Sequence, residues 1–271
     1  MQPTSNAPVA LFYNLDRFQE AGIAPPPKQW GGKGWDTAAL LDAGRKLTRT
    51  VGQQQAQPAA ANTRARAGGE QAQWFSSLST WWILAQPWVW GNGGHFLDAA
   101  ITKVLVDTPE VVSTLQWLAD LTWKEHVQPT PDEAKATKPS FTNGMLAGEG
   151  TSANLASSFQ QQIKSFRWDV GVLPTGTSGV WTRHPSASAL IWQGTKQPDA
   201  AWNLVEFLGG ETAQLVLGLG GQGVPDRMAV ALSPTFLKQP NGIDWQLLGT
   251  SKLRRDRTPY WQEHGWTRAG T

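Results

Sequence analysis

The sequence predicts an α/β fold, because short apolar runs that read as strands alternate with longer segments of helical periodicity. Three observations carry that reading. Val9-Ala10-Leu11-Phe12-Tyr13 is a continuous apolar run bounded by Pro8 and Asn14, the pattern of a buried strand. Trp168-Asp169-Val170-Gly171-Val172-Leu173 alternates like a second strand and is closed by Pro174. Pro198-Asp199-Ala200-Ala201-Trp202 opens a helix running to Leu208, and Glu211 opens another reaching Leu217.

The remaining elements follow in order. Asn14 is placed to cap a short helix over 15–21, which Gly22 stops. Ala24-Pro25-Pro26-Pro27 is a stiff loop. Asp36 caps the next helix, on which Leu40, Leu41 and Leu47 share roughly one face. Residues 51–73 are rich in Gln, Ala and Gly without apolar periodicity, and are expected to form an irregular or mobile stretch. Residues 74–86 suit an amphipathic helix ended by Pro87. Gly91-Asn92-Gly93-Gly94 is a tight turn. Thr108-Pro109-Glu110 is a helix start, with a capping hydroxyl, a proline at the first turn and an early acidic group. Val112, Leu115, Leu118, Ala119 and Trp123 extend its stripe. A short helix is expected over 141–146, a Gly-rich turn or strand over 147–153, a helix over 155–165 and a strand over 186–192.

Composition narrows the function. Twenty-three Lys and Arg against 21 Asp and Glu leave a net charge of only +2, which speaks against a nucleic-acid surface. There is no cysteine, so disulfides and thiolate-bound zinc are excluded. The four histidines, His95, His126, His184 and His264, lack ligand spacing, and neither a metal nor a cofactor is expected. No apolar run is long enough to span a bilayer, and Gln2-Pro3-Thr4-Ser5-Asn6 is too polar for a secretory leader. Sixteen tryptophans supply broad apolar faces with one N–H donor each, suited to core filling or to stacking on semi-apolar ligands. Catalytic motifs are lacking: no G-x-S-x-G occurs, Gly218 to Gly223 does not follow a strand as a phosphate loop would, and Glu125, Glu149 and Asp169 stand apart in sequence.

Several motifs in a fixed order resemble one family, the extracellular solute-binding proteins of sugar-type ABC importers. Leu11-Phe12-Tyr13-Asn14-Leu15-Asp16-Arg17-Phe18 with Ala21-Gly22 is similar to its Y-Y-N-K-D-L-F…A-G segment. Pro27, Trp35-Asp36 and Ala43-Gly44-Arg45-Lys46-Leu47-Thr48 resemble P-x-T-W-D-E…A-K-K-L-T. Gly93-Gly94 with Asp98, Phe141-Thr142-Asn143-Gly144 with Ala147, Trp168 to Pro174, Pro198 to Trp202 with Phe207-Leu208, and Gly223-Val224-Pro225-Asp226-Arg227 continue the series. The A-A-M of the family is degenerate here, as Met145-Leu146-Ala147-Gly148-Glu149, and the aromatic that often follows it is Asn154.

The resemblance implies a periplasmic-binding-protein-like (type II) two-lobe architecture, one lobe largely complete and the other partial. Residues 8–168 would form a C-terminal-type lobe, 169–224 a crossover and partial N-terminal-type lobe, and 225–271 a truncated return segment. The first part of the N-terminal lobe and the C-terminal helices would be missing. It further implies non-catalytic binding of a sugar or similar polar solute between lobes that close by hinge motion, outside the cytoplasm, for ABC transporter membrane subunits. A carbohydrate- or ester-hydrolysing enzyme on the same scaffold, and a fragment that binds nothing, are the alternatives. By position the ligand-binding candidates are Trp81, Trp82, Ser152, Asn154, Trp181, Arg183, His184 and Arg227. Core packing competes for the Trp81–Trp82 pair, helix capping for Ser152 and Asn154, a solvated loop for Trp181, Arg183 and His184, and a structural ion pair for Arg227. Leu190, Ile191, Val205, Leu208, Leu215 and Leu217 would lack apolar cover, so self-association through the incomplete lobe is expected.

Overall fold

The computed structural model describes residues 2–49, 73–78, 82–239 and 243–251. Seven strands fall within them: β1 (Gln2–Asn6), β2 (Val9–Asn14), β3 (Trp74–Ser76), β4 (Leu146–Ser152), β5 (Trp168–Gly171), β6 (Ser186–Ala189) and β7 (Val224–Pro225). The helices are α1 (Leu15–Glu20), α2 (Thr37–Leu47), α3 (Trp82–Gly91), α4 (Pro109–Trp123), α5 (Pro131–Thr137), α6 (Ala156–Gln162), α7 (Pro198–Gly209), α8 (Glu211–Leu219), α9 (Met228–Ala231), α10 (Pro234–Leu237) and α11 (Trp245–Thr250).

The strands make two sheets. The larger has the order β3-β4-β2-β5, with β2 antiparallel to both neighbours and β3 parallel to β4. The smaller, β6-β1-β7, is antiparallel throughout. The chain therefore passes between sheets at residues 7–8, again between β5 and β6, and reaches β7 after α7 and α8. Strand β1 precedes residue 8 and belongs to the smaller sheet, while β5 belongs to the larger.

The central position of β2 explains its continuous apolar run: every residue from Val9 to Asn14 is buried, as a strand covered on both faces requires. On one face Phe12 meets Phe159 edge-on at 5.2 Å, and Trp168, Phe141 and Phe166 extend the aromatic cluster. Trp35 donates its indole N–H to the Val172 carbonyl at 3.1 Å and Trp30 to that of Leu247 at 3.0 Å, so these buried indoles tie loops into the core without stranding a donor.

Local signals account for several element ends. The Asn14 side chain accepts from the Arg17 amide and that of Asp36 from the Ala39 amide, each satisfying a first-turn donor. Gly22, at φ +65°, follows α1 as expected. Thr130 and Glu133 form a reciprocal capping box on α5.

Other expectations are corrected. The segment read as one amphipathic helix begins as strand β3, and α3 starts only at Trp82 and runs through Pro87. Its short apolar start pairs with β4, a partner distant in sequence, so tertiary pairing decided the outcome. Residues 141–145 are turn rather than helix, with Asn143 Oδ1 accepting from the amides of Ser140 and Met145. On α4 the buried face is Val111, Thr114, Leu118 and Leu121, whereas Val112 and Trp123 face solvent. The strand expected to reach Trp192 ends at Ala189. Residues 51–72 lie outside the described residues.

The smaller sheet is thinly covered. Leu190, Ile191, Trp192, Trp202, Leu204, Phe207, Val216 and Leu219 are all exposed, whereas Val205 is buried and Leu208, Leu215 and Leu217 are half-buried.

Candidate functional site: the connector between the sheets

Ala7 and Pro8 join β1 to β2, and three other segments converge on this connector. The Ala7 amide donates to the Pro185 carbonyl at 3.0 Å and the Val9 amide to that of Arg183 at 3.1 Å. The Thr182 hydroxyl donates to the Val9 carbonyl at 2.6 Å. On the other side Ala153 donates to the Pro8 carbonyl at 2.9 Å, and Ser152 is the register partner of Val9. Gly223, whose amide-bearing backbone sits at φ +114°, brings the start of β7 against the Asn6 carbonyl.

Ser152 and Arg183 are therefore brought to the same connector from segments 31 positions apart, the difference between their residue numbers. Both are half-buried. Among the described residues the Arg183 guanidinium takes no hydrogen-bond or ion-pair partner, and desolvation lowers its pKa from the ordinary arginine value. A cation held in part out of water without a counter-charge has strong residual demand for acceptor oxygens. His184 follows, its Nε2 lying 3.2 Å from the Ser251 carbonyl, which fastens the crossover to the end of α11.

Trp181 precedes this cluster. Its ring lies 6.4 Å from that of Trp90 on α3, and its N–H points to the Ser178 carbonyl at 3.4 Å. The same loop is docked on the end of α3: Ser178 donates to the Gly91 carbonyl at 2.7 Å and Thr177 to Asn92 Oδ1 at 3.3 Å. Asn154, in a 3₁₀ turn (Ala153–Leu155) just past Ser152, is exposed. Trp82 opens α3 and is 52% exposed, so the core-packing reading does not describe it. Trp81 lies outside the described residues.

Arg227 is used elsewhere. Its Nε donates to the Gly209 carbonyl at 2.6 Å and its amide to Gln214 Oε1 at 2.7 Å, which staples the exit of β7 to the α7–α8 junction. The partner is a carbonyl rather than the carboxylate expected for a structural ion pair. Sequence reasoning missed Thr182 and Trp90. Thr182 sits between two named candidates, but only the fold shows that its hydroxyl meets Val9.

The isolated carboxylates are absorbed differently. Asp169 pairs with Lys28 at 2.5 Å, and Glu125 receives Arg45 at 2.6 Å. Glu149 lies opposite Phe12 on β4, where desolvation raises its pKa above the usual glutamate value. Among the described residues no three His, Cys, Asp or Glu side chains gather as a metal site would need. Among them, too, no helix is long and apolar enough to cross a membrane.

Two sheets joined by several crossings are the fold of the type II periplasmic binding proteins. The chain belongs to the bacterial extracellular solute-binding protein family, whose sequence profile matches residues 2–215. Among curated proteins it is 27% identical over 175 residues to the sn-glycerol-3-phosphate-binding periplasmic protein UgpB of Pectobacterium atrosepticum, a stretch covering 64% of this chain and 34% of that protein. Among solved structures, the ABC substrate-binding protein Lmo0181 of Listeria monocytogenes, in complex with cycloalternan, superposes with a TM-score of 0.70 at 20% identity, over 93% of this chain and 59% of that one. Maltose-bound MalE3 of T. maritima gives a TM-score of 0.62 at 19% identity, over 96% and 63%. At these identities the structures speak for the fold alone. The chain thus spans about a third of the curated relative, from the 34% above, and under two thirds of each solved structure.

Proposed function

We propose that the chain takes part in reversible, non-catalytic capture of a sugar or similar polar solute at the connector, outside the cytoplasm, for delivery to the membrane subunits of an ABC importer. The observation that carries the reading is the half-buried guanidinium of Arg183, which takes no hydrogen-bond or ion-pair partner among the described residues, on a segment that flanks Val9 across from Ser152. It offers planar donors to solute oxygens, the serine adds a hydroxyl, and Trp181 with exposed Trp82 supplies apolar faces for sugar C–H surfaces. We assign residues 8–168 to the larger lobe, 169–224 to the crossover and partial lobe, and 225–271 to the return, amended so that β5 goes with the larger lobe and β1 with the partial one. Engagement of Asp169 and Glu125 in ion pairs favours binding over a two-carboxylate hydrolytic reaction.

A second reading concerns the solute. A lone guanidinium suits a phosphorylated polyol as well as a neutral sugar, and the curated relative at 27% identity is described as binding sn-glycerol 3-phosphate. Calorimetry with maltose and with sn-glycerol 3-phosphate, repeated on Arg183→Gln, tests both. Heat with neither solute at millimolar protein-to-ligand excess, or binding unaffected by the substitution, removes the connector as the site.

The exposed apolar group on α7, α8 and residues 190–192 supports self-association of this chain. Light scattering that shows a monomer at high concentration would end that reading.

A further inference from the structure

A second recess lies apart from Arg183 and Ser152, where the start of α2, the end of α3, the start of α4 and the tip of the 175–181 loop meet. It is a broad hollow of about 480 Å³, lined among others by Thr37, Asn92, Glu110, Ser113, Trp117 and Thr177. We propose that this hollow binds a neutral sugar ring, as an accessory site independent of the connector.

Its floor is aromatic. Trp117 is half-buried and rests on buried Trp88, with ring centroids 5.5 Å apart and planes tilted by 40°, so the indole is held in one orientation by the core beneath. Its rim is a fixed polar network. Asn92 donates through Nδ2 to the Thr114 hydroxyl at 3.1 Å and accepts the Thr177 amide at 3.3 Å, while the Thr114 hydroxyl donates to the Glu110 carbonyl at 2.7 Å. These bonds leave groups over. Among the described residues the Glu110 carboxylate and the hydroxyls of Thr37 and Thr177 take no side-chain partner, and neither does the Trp117 N–H. One strong acceptor, one fixed donor and two hydroxyls around an indole face match the alternating donors and acceptors and the apolar C–H surface of a pyranose.

Charge separates this hollow from the connector. Glu110 is a carboxylate among the lining residues, and among the described residues no Lys, Arg or His lines the recess, so a phosphate or carboxylate ligand would meet repulsion without a counter-charge. The connector, centred on Arg183, carries the opposite charge and admits an anionic solute as well as a neutral one. The hollow is wide and open, so affinity should be weak, with half-saturation in the millimolar range expected of shallow sites.

The test is NMR of the protein with ¹⁵N-labelled indoles, the Trp117 resonance being assigned by its loss in Trp117→Phe. Titration with maltose should move the Trp117 signal in a saturable way. Glu110→Gln should weaken the half-saturation point by about tenfold. Equal concentrations of sn-glycerol 3-phosphate or of glycerol should leave the signal in place. Arg183→Gln should leave the maltose-dependent shift unchanged, which distinguishes failure of the connector as a site from failure of this one. A shift abolished by Arg183→Gln would make Trp117 a mere reporter of the connector and overturn the proposal. No shift with maltose, or a shift with tetramethylammonium but not maltose, would overturn it as well, the latter in favour of an organic-cation site.

Discussion

Replacing Gly223 by alanine probes the geometry on which the connector depends. Gly223 has φ +114°, outside the region any L-residue adopts comfortably, and an added Cβ would lie 2.6 Å from the Asn6 carbonyl oxygen. That neighbour is backbone and cannot rotate away, and Asn6 is itself buried, with neither side-chain amide atom partnered. The strained backbone alone costs roughly 1–3 kcal/mol. Relief of the clash by bond-angle and peptide distortion adds about 1–2 kcal/mol. A total of about 2–5 kcal/mol corresponds to a fall in thermal midpoint of roughly 4–20 °C for a chain of this size. Gly22→Ala is the matched control, because Gly22 also has positive φ (+65°) but an added Cβ there meets nothing within 4 Å. It should cost only about 1 kcal/mol, the left-handed backbone penalty. Differential scanning calorimetry of both variants, with circular dichroism to verify folding, gives the comparison. Equal destabilisation by the two substitutions would refute the claim that the Gly223–Asn6 approach, rather than φ alone, locks β7 onto β1.

Further predictions address the site, the core and the surface. Arg183→Gln should weaken solute binding by about 10- to 100-fold, the loss of one or two charge-assisted hydrogen bonds, read by calorimetry, with the thermal midpoint nearly unchanged. Burial, then the nearby Asp169 charge, raise the Tyr13 phenol above its usual pKa, so the folded protein holds that proton when the unfolded chain releases it. Tyr13 therefore contributes stability that is present below about pH 10 and is lost as pH rises beyond it, and Tyr13→Phe should flatten denaturant midpoints between pH 9 and pH 11. Phe207→Glu and Trp202→Glu place charge in the exposed apolar group on α7 and should lower the scattering mass of any oligomer while leaving the far-ultraviolet spectrum intact.

What the sequence by itself determined is the set of locally encoded elements. β2 was legible because a strand buried on both faces needs an unbroken apolar run, and α1 and α2 because Asn14 and Asp36 cap their own helices three residues away. The family was legible for a related reason: turn and cap residues must recur at fixed places to terminate the same elements. The tertiary structure alone decided what depends on partners far along the chain. Trp74–Ser76 is too short for periodicity to distinguish strand from helix, and pairing with β4 settled it. Val112 and Trp123 fitted a helical stripe, but the face that α4 buries depends on where the rest of the core lies. The site divided in the same way. Arg183 and Ser152 could be named as polar residues near predicted strand ends. That they meet at one connector while Arg227 is spent on Gly209 follows from crossings between two sheets, which no local pattern encodes.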